Sequence, residues 1–321
     1  MLILGYNFDM QKIIVISPKL NFGDPKLVEA LEKKQAIFYE QPPVDLNSVA
    51  ELFDDDEKTL MIDEVLTKGG FMALNEILPR TKNIKHITNL SARYHEVDLE
   101  QMKQLGITYS NNPDTTTESV AELAIMDLFA LVRNLPLMQK DTFEFYGEQH
   151  LGREVREMSA GILGYGNIGS RVAELCAALK MPVKIWSRTQ KSSPYEQVDV
   201  ARLLKQDAIF ITLATGDEAK VVFNDQFYNT LQPHQYIVDV TASDELYDKN
   251  RLIEMANNKK IAGYAFEAES SKSTYAQPAG NVLITPHVGW GTRDSYMRLY
   301  GNWVSATVAA FNGQPINVVN K

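Results

Sequence analysis

The stretch Gly164-Tyr165-Gly166-Asn167-Ile168-Gly169 reads G-x-G-x-x-G, and it restricts the fold more than any other segment of the chain. The run "SAGILG" before it suits a strand, and "NIGSRVAELCAALK" after it suits a helix. In such a strand–turn–helix unit each glycine answers a separate demand. Gly164 permits the tight turn, Gly166 lets the backbone approach a pyrophosphate, and Gly169 lets helix and strand pack closely. The phosphates then meet free N–H groups at a helix N-terminus, where the helix dipole favours negative charge. Tyr165, Asn167 and Ile168 complete the loop. An isolated match of this kind is often only a turn; the strand before and the helix after make this one a dinucleotide site.

Strand-like and helix-like runs alternate along most of the chain, the pattern of an α/β protein with parallel sheets. "KIIVIS" (12–17), "DPKLVEALEKK" (24–34), "AIFYE", "LNSVAELF" and "TLMID" (59–63) read βαβαβ, with Asp24 as an N-cap and Pro25 at the first helical position. The pattern restarts at "SAGILG" and runs through "PVKIWS", "DAIFITLA", "QYIVDV", "IAGYAF" and "NVLITP", with helical segments between. The strands are continuously apolar, as expected when helices cover both sheet faces. "TTTESVAELAIMDLFALVRN" (115–134) reads as a long helix joining two domains, capped by Thr117 or Glu118. A last helix spans about 292–311, too far from the N-terminal strands in sequence for pattern alone to place it. A chain of 321 residues exceeds one ordinary core, so two doubly wound parallel-sheet domains are expected.

No apolar run approaches the roughly 20 residues that cross a bilayer. The start, "MLILGYNFDMQKIIVIS", lacks a basic n-region and is interrupted by Asp9, so no signal peptide is expected, and Met10 offers an alternative start. The single cysteine, Cys176, excludes an intrachain disulfide and suits a cytoplasmic protein. It is expected to be an inert core residue. A net charge of −9 argues against nucleic-acid binding.

The segment after the second Rossmann strand selects the nucleotide. An NAD site usually carries a carboxylate about 20 residues past the glycines for the ribose 2′-OH. Here the strand ends in Ser187-Arg188-Thr189-Gln190-Lys191, with two hydroxyls and two cations and no carboxylate. Ser187, Arg188, Thr189 and Lys191 are the donors a 2′-phosphate needs, so NADP(H) is expected over NAD(H). Ala214 and Thr241 complete the expected cofactor contacts.

Four segments together, "GILGYGNIGSRVA" (161–173), "NNPDTTTESVAELA" (111–124), "IAGYAFEAE" (261–269) and "LITPHVGW" (283–290), resemble the D-isomer-specific 2-hydroxyacid dehydrogenases in order and spacing. "WSRTQKS" is similar to NADPH-dependent glyoxylate and hydroxypyruvate reductases of that family, and "GYAF" to its D-lactate dehydrogenases. The resemblance implies Rossmann-like and flavodoxin-like domains with an active-site cleft between them. Residues 1–103 with 290–321 would form the substrate domain, and 104–289 the dinucleotide-binding domain. It also implies a homodimer built mainly on the cofactor domain, and an Arg–Glu–His catalytic set. His287 matches the histidine, which exchanges a proton with the substrate hydroxyl.

The other two members depart from the pattern. Ala242 or Ser243 stands where the family's arginine would bind a substrate carboxylate, and Asp244 and Glu245 follow, acids expected to repel an anion. Glu267 fits the family's strand-end acid, but the fifth residue beyond it is Lys272. Because the segment from Glu267 to His287 is shorter than the family's, Glu269 becomes the candidate for the catalytic glutamate. In "NLSARYHEVDLE" Arg93 replaces a family glycine and is the candidate for a relocated anion anchor, with Tyr94, His95 and Trp290 as bulk on the substrate side. Losing a carbonyl-polarising arginine costs on the order of 10²–10³ in rate. Two functions therefore remain open. One is an NADP(H)-dependent oxidoreductase acting on a small 2-oxo acid or related anionic carbonyl compound; the other is a catalytically impaired paralogue that binds NADP(H) for sensing or partner interaction.

Overall fold

Each β-branched or apolar run in this chain is followed by an amphipathic one, and parallel pairing through helical crossovers buries both. The computed structural model describes residues 11–94, 96–140, 147–148, 151–214, 216 and 221–321; Asp9, Met10 and His95 lie outside these. It divides into two units, Met1–Thr115 with Arg293–Lys321, and Thr116–Thr292.

The first unit holds β1 (Lys12–Ile16), α1 (Pro25–Glu32), β2 (Ile37–Phe38), β3 (Lys58–Ile62), α2 (Gly70–Ile77), β4 (Ile84–Asn89), α3 (Leu99–Gln104) and β5 (Thr108–Ser110). Its sheet runs β2-β1-β3-β4-β5, every pair parallel. Asp24 caps α1 by accepting from the Lys26 N–H, with Pro25 at the first position, as its sequence predicts. "LNSVAELF" does not form one helix: Val49, in extended conformation, separates two 3₁₀ turns, Leu46–Ser48 and Ala50–Phe53.

Successive strand residues point to opposite faces, and here both faces are buried. Ile14, Ile16, Leu60 and Ile62 join one core, while Ile13, Val15 and Met61 join another with Trp303. Trp303 belongs to the last helix, Arg293–Phe311, which covers the second face. It is fully buried, and its indole N–H donates to the Thr88 carbonyl at 3.1 Å. Truncating a buried tryptophan costs about 3–5 kcal/mol, which is the scale on which this contact fixes the last helix to the first sheet.

The expected boundary at 103/104 is corrected by the pairing of β5. That short strand adds to β4 through His86↔Thr108 and Ile87↔Tyr109, so the first unit continues to Thr115. Its return begins at Arg293 rather than 290, where the last helix starts.

The second unit holds α4 (Thr117–Val132), α5 (Leu135–Lys140), β6 (Ala160–Leu163), α6 (Asn167–Ala178), β7 (Val183–Trp186), β8 (Glu196–Gln197), α7 (Val200–Leu203), β9 (Ala208–Ile211), α8 (Asp225–Thr230), β10 (Tyr236–Asp239), α9 (Lys249–Asn257), β11 (Gly263–Glu267) and β12 (Val282–Thr285). The sheet order is β12-β11-β10-β9-β6-β7-β8, again parallel throughout. The expected caps of α4 are corrected: Thr116 is the N-cap and makes no side-chain capping bond. Glu118 instead binds Arg171 of α6 with both carboxylate oxygens, each at 2.7 Å. α4 lies wholly in the second unit and packs on α6, β10 and β11, leaving Met126 and Phe129 exposed. Cys176 is fully buried, and burial pushes its thiol up to about 12, so the thiolate is scarce and the residue is core.

Candidate active site

The chain leaves β6 toward β7 on one side, while β9 lies on the other side of β6. Ligands of open α/β sheets bind beyond the strand ends at such a reversal, and the glycine loop occupies it. Gly164 has φ +112°, and a Cβ there would lie 2.8 Å from the Thr212 carbonyl carbon and oxygen. A Cβ on Gly169 would lie 1.9 Å from the Gly164 oxygen and 2.7 Å from Thr212 Oγ1. Thr212 closes the turn by donating to the Gly164 carbonyl at 2.7 Å.

Gly166 differs from both. It is the N-cap of α6 at φ −97°, and a Cβ on it would meet nothing within 4 Å. The fold itself therefore does not need glycine at 166, whereas a phosphate approaching the start of α6 does. These residues fit a dinucleotide. Tyr165 sets its ring edge-on to Tyr195, with centroids 6.4 Å apart, and Asn167 and Ile168 open α6.

After β7, Ser187 is half-buried and Arg188, Thr189 and Lys191 are exposed. Gln197 of β8 ties this segment down: its amide donates to the Ser187 and Thr189 carbonyls, and its Oε1 accepts from the Lys191 N–H. Ala214, past β9, is exposed. Thr241, past β10, donates its backbone N–H to Asp239 Oδ1 at 2.8 Å.

The C-terminal ends of β10, β11 and β12 carry the acids and the histidine. Parallel register sets Asp239 beside Phe266 and Glu267 beside Thr285. Glu267 is only 1% exposed, and its Oε1 accepts the N–H groups of Val288 and Gly289 at 2.7 and 2.6 Å. It thereby holds the turn that carries His287. Burial raises its pKa, opposed by those two N–H groups and by the nearby His287. His287 and Trp290 are exposed, and the Trp290 indole N–H donates to the His287 carbonyl at 3.2 Å.

The geometry revises the reading of Glu269. Its carboxylate is exposed and accepts the Asp244 N–H at 2.9 Å, while Glu267 takes the His287 turn. Strand-end position was the signal for Glu267, because a side chain there meets the turn that follows the neighbouring strand.

The loop after β10 also differs from its expected electrostatics. Asp244 is not a free repelling charge: Ser273 and Tyr275 hydroxyls donate to it, each at 2.6 Å. Lys249 Nζ lies 3.8 Å from Asp244 and 3.3 Å from Asp239, and donates to the Glu267 carbonyl at 2.9 Å. Lys249 is 3% exposed, so its charge is compensated inside the fold. Tyr247 donates to Asp239 at 2.6 Å and lies 2.7 Å from the Tyr264 hydroxyl. Ala242 has φ +48° and Ser243 is buried, so neither supplies a cation to a ligand. Sequence reading missed Lys249 and Asp239, whose meeting depends on the packing of α9 against β11. Glu245 is exposed, and Lys272 is exposed in the segment between β11 and β12.

In the first unit, the Arg93 side chain is 59% exposed and pairs with Glu96 at 2.7 Å. That surface pair gives the guanidinium a local partner worth about 0–1 kcal/mol. Tyr94 is 39% exposed. Among the described residues no group of His, Cys, Asp and Glu is arranged to hold a metal, and no helix is long and apolar enough to cross a membrane.

A glycine turn at a sheet reversal, with a histidine and a buried carboxylate at the same strand ends, defines a nucleotide-dependent oxidoreductase. The profile of the D-isomer specific 2-hydroxyacid dehydrogenase, NAD binding domain, matches residues 125–289. A putative 2-hydroxyacid dehydrogenase of Staphylococcus saprophyticus is 30% identical over 260 residues, covering 76% of this chain and 81% of that protein. An acyclic imino acid reductase in complex with NADPH and D-Arg superposes with a TM-score of 0.79 at 19% identity, over 96% of this chain and 99% of the other. D-lactate dehydrogenase of Aquifex aeolicus, complexed with NAD and lactic acid, gives 0.73 at 21% identity, over 94% and 96%. The chain belongs to the D-isomer-specific 2-hydroxyacid dehydrogenase family, whose members are NAD(P)-dependent oxidoreductases.

Proposed function

We propose that this protein reduces a small 2-oxo acid or related carbonyl compound with NADPH, and that His287 gives the proton to the carbonyl oxygen. The observation that supports this most is the hold of Glu267 on the His287 turn. A buried carboxylate accepting two N–H groups of that turn fixes where His287 stands, as a group that hands over a proton requires. The nicotinamide nucleotide supplies the hydride when bound. Gly164, Gly166 and the start of α6 receive its phosphates, and Ser187, Arg188, Thr189 and Lys191 receive the 2′-phosphate.

The test is NADPH consumption with a panel of 2-oxo acids, each assayed with and without an amine. The amine arm is included because the acyclic imino acid reductase shares this fold. Consumption with any member supports an active reductase. Tight NADPH binding with no consumption across the panel overturns that reading in favour of a nucleotide-binding paralogue.

The cofactor preference has its own test. NADPH should bind more tightly than NADH by about 10- to 100-fold, the worth of a charged hydrogen bond to the 2′-phosphate. Arg188→Ala should remove most of that preference and leave NADH binding nearly unchanged. Equal affinities in the parent protein refute it.

A further inference from the structure

The run "AIMDLFAL" places one acid among apolar residues of α4. That acid, Asp127, is fully buried, and neither of its carboxyl oxygens has a hydrogen-bond partner among the described residues. An ionised carboxylate in such a place is costly, so its proton is held to a higher pH than on an exposed acid. α4 packs on β11, the strand that ends at Glu267, and the Glu267 charge acts on Asp127. One turn before Asp127 on the same helix, Leu123 reaches the backbone of the His287 turn. A Cβ on Gly289 would lie 3.2 Å from Leu123 Cδ2 and 2.9 Å from Glu267 Oε2. Glu267 and the 287–290 turn thus pack against the face of α4 that holds Leu123, one turn from Asp127, within the second unit.

We propose that Asp127 and Glu267 form a buried acid pair carrying a single proton, and that Asp127 is a positioning residue for His287 acting through that pair. The hydrogen bonds decide which member is neutral. Glu267 accepts two N–H groups, which favour its charged form, and Asp127 accepts none, so Asp127 keeps the proton. Two like charges in so dry a place repel strongly, so the second ionises only at a raised pH. When the proton leaves, repulsion acts on Glu267, and Glu267 holds the turn. The other charged groups around the pair are fixed: Asp239 at the end of β10 faces Glu267, Lys249 from α9 compensates Asp239, and His287 follows β12. Arg171 of α6 is paired with Glu118, more than two turns away along α4.

Burial and the Glu267 charge raise Asp127 to about 7, so the switch falls near neutral pH. The sign for stability follows. Between about pH 4 and pH 7 the folded chain holds a proton that the unfolded chain has released, so this site lowers stability as pH rises through that window. Asp127→Asn removes that slope.

The role in catalysis rests on the proposed proton transfer at His287, whereas the pair itself does not. Two measurements separate them. Infrared difference spectra of the whole protein at pH 6, parent minus Asp127→Asn, should show the carbonyl stretch of a protonated buried carboxyl, lost as pH is raised past 7. The Trp290 indole N–H signal, which reports the His287 carbonyl, should shift with pH across the same range in the parent and not in Asp127→Asn. Asp127→Leu, with an apolar residue at this buried helical position, should also lack the shift. Absence of the carboxyl band, or a Trp290 titration unchanged in both variants, overturns the proposal. If the band and the titration behave as stated but no carbonyl compound is reduced, the acid pair stands and the proposed reaction falls. If reduction occurs, kcat should fall above pH 7 more steeply in the parent than in Asp127→Asn; superimposable profiles overturn the positioning role.

Discussion

His287→Gln should lower kcat for carbonyl reduction by about 10²–10⁴, the range for removing a positioned general acid. KM should change little, because the imidazole acts on a proton that moves in the transition state and not on ground-state binding. The folded protein should be almost as stable as the parent. His287 is exposed, and the turn around it is held through the backbone: Glu267 takes the Val288 and Gly289 N–H groups, and the Gly291 N–H donates to the Val288 carbonyl at 2.7 Å. Steady-state kinetics with saturating NADPH, paired with thermal unfolding, reads both halves. A variant as fast as the parent removes His287 from the chemistry.

Gly169→Ala and Gly166→Ala should fail in opposite ways. The methyl at 169 would stand 1.9 Å from a backbone oxygen, so β6 or α6 has to move. Overpacking of this kind costs about 1–3 kcal/mol and sometimes more, and a domain of this size loses about 2–4 °C in Tm for each kcal/mol. Gly169→Ala should therefore be plainly less stable, with or without nucleotide. At 166 the methyl meets no protein atom, so the apo protein should melt close to the parent. Its NADPH affinity should instead fall by about 10- to 100-fold, the worth of a charged hydrogen bond to a displaced phosphate. Thermal melts and nucleotide titrations of the two variants check this. If Gly166→Ala binds NADPH like the parent, the phosphates do not approach that backbone.

The sequence by itself determined what short-range chemistry determines. The alternation of apolar strands with amphipathic helices fixed two parallel sheets, because only helical crossovers join parallel neighbours. Asp24 before Pro25 started α1, and the three glycines set the nucleotide turn within six residues. Tertiary structure decided the rest, because the partners are far apart in sequence. Glu267 rather than Glu269 holds the His287 turn because β11 and β12 pair in the register Glu267↔Thr285. Lys249 compensates Asp239 and Asp244 because α9 packs back against β11, and no local pattern announces that charge balance. The last helix returns to the first sheet because Trp303 finds the Thr88 carbonyl 215 residues earlier. Asp127 was not singled out in the sequence, where one acid in a long helix carries no local signal; the packing of α4 against β11 is what brings it under the Glu267 charge. Periodicity reports which side of an element is buried; it carries no information on which buried charge will meet another.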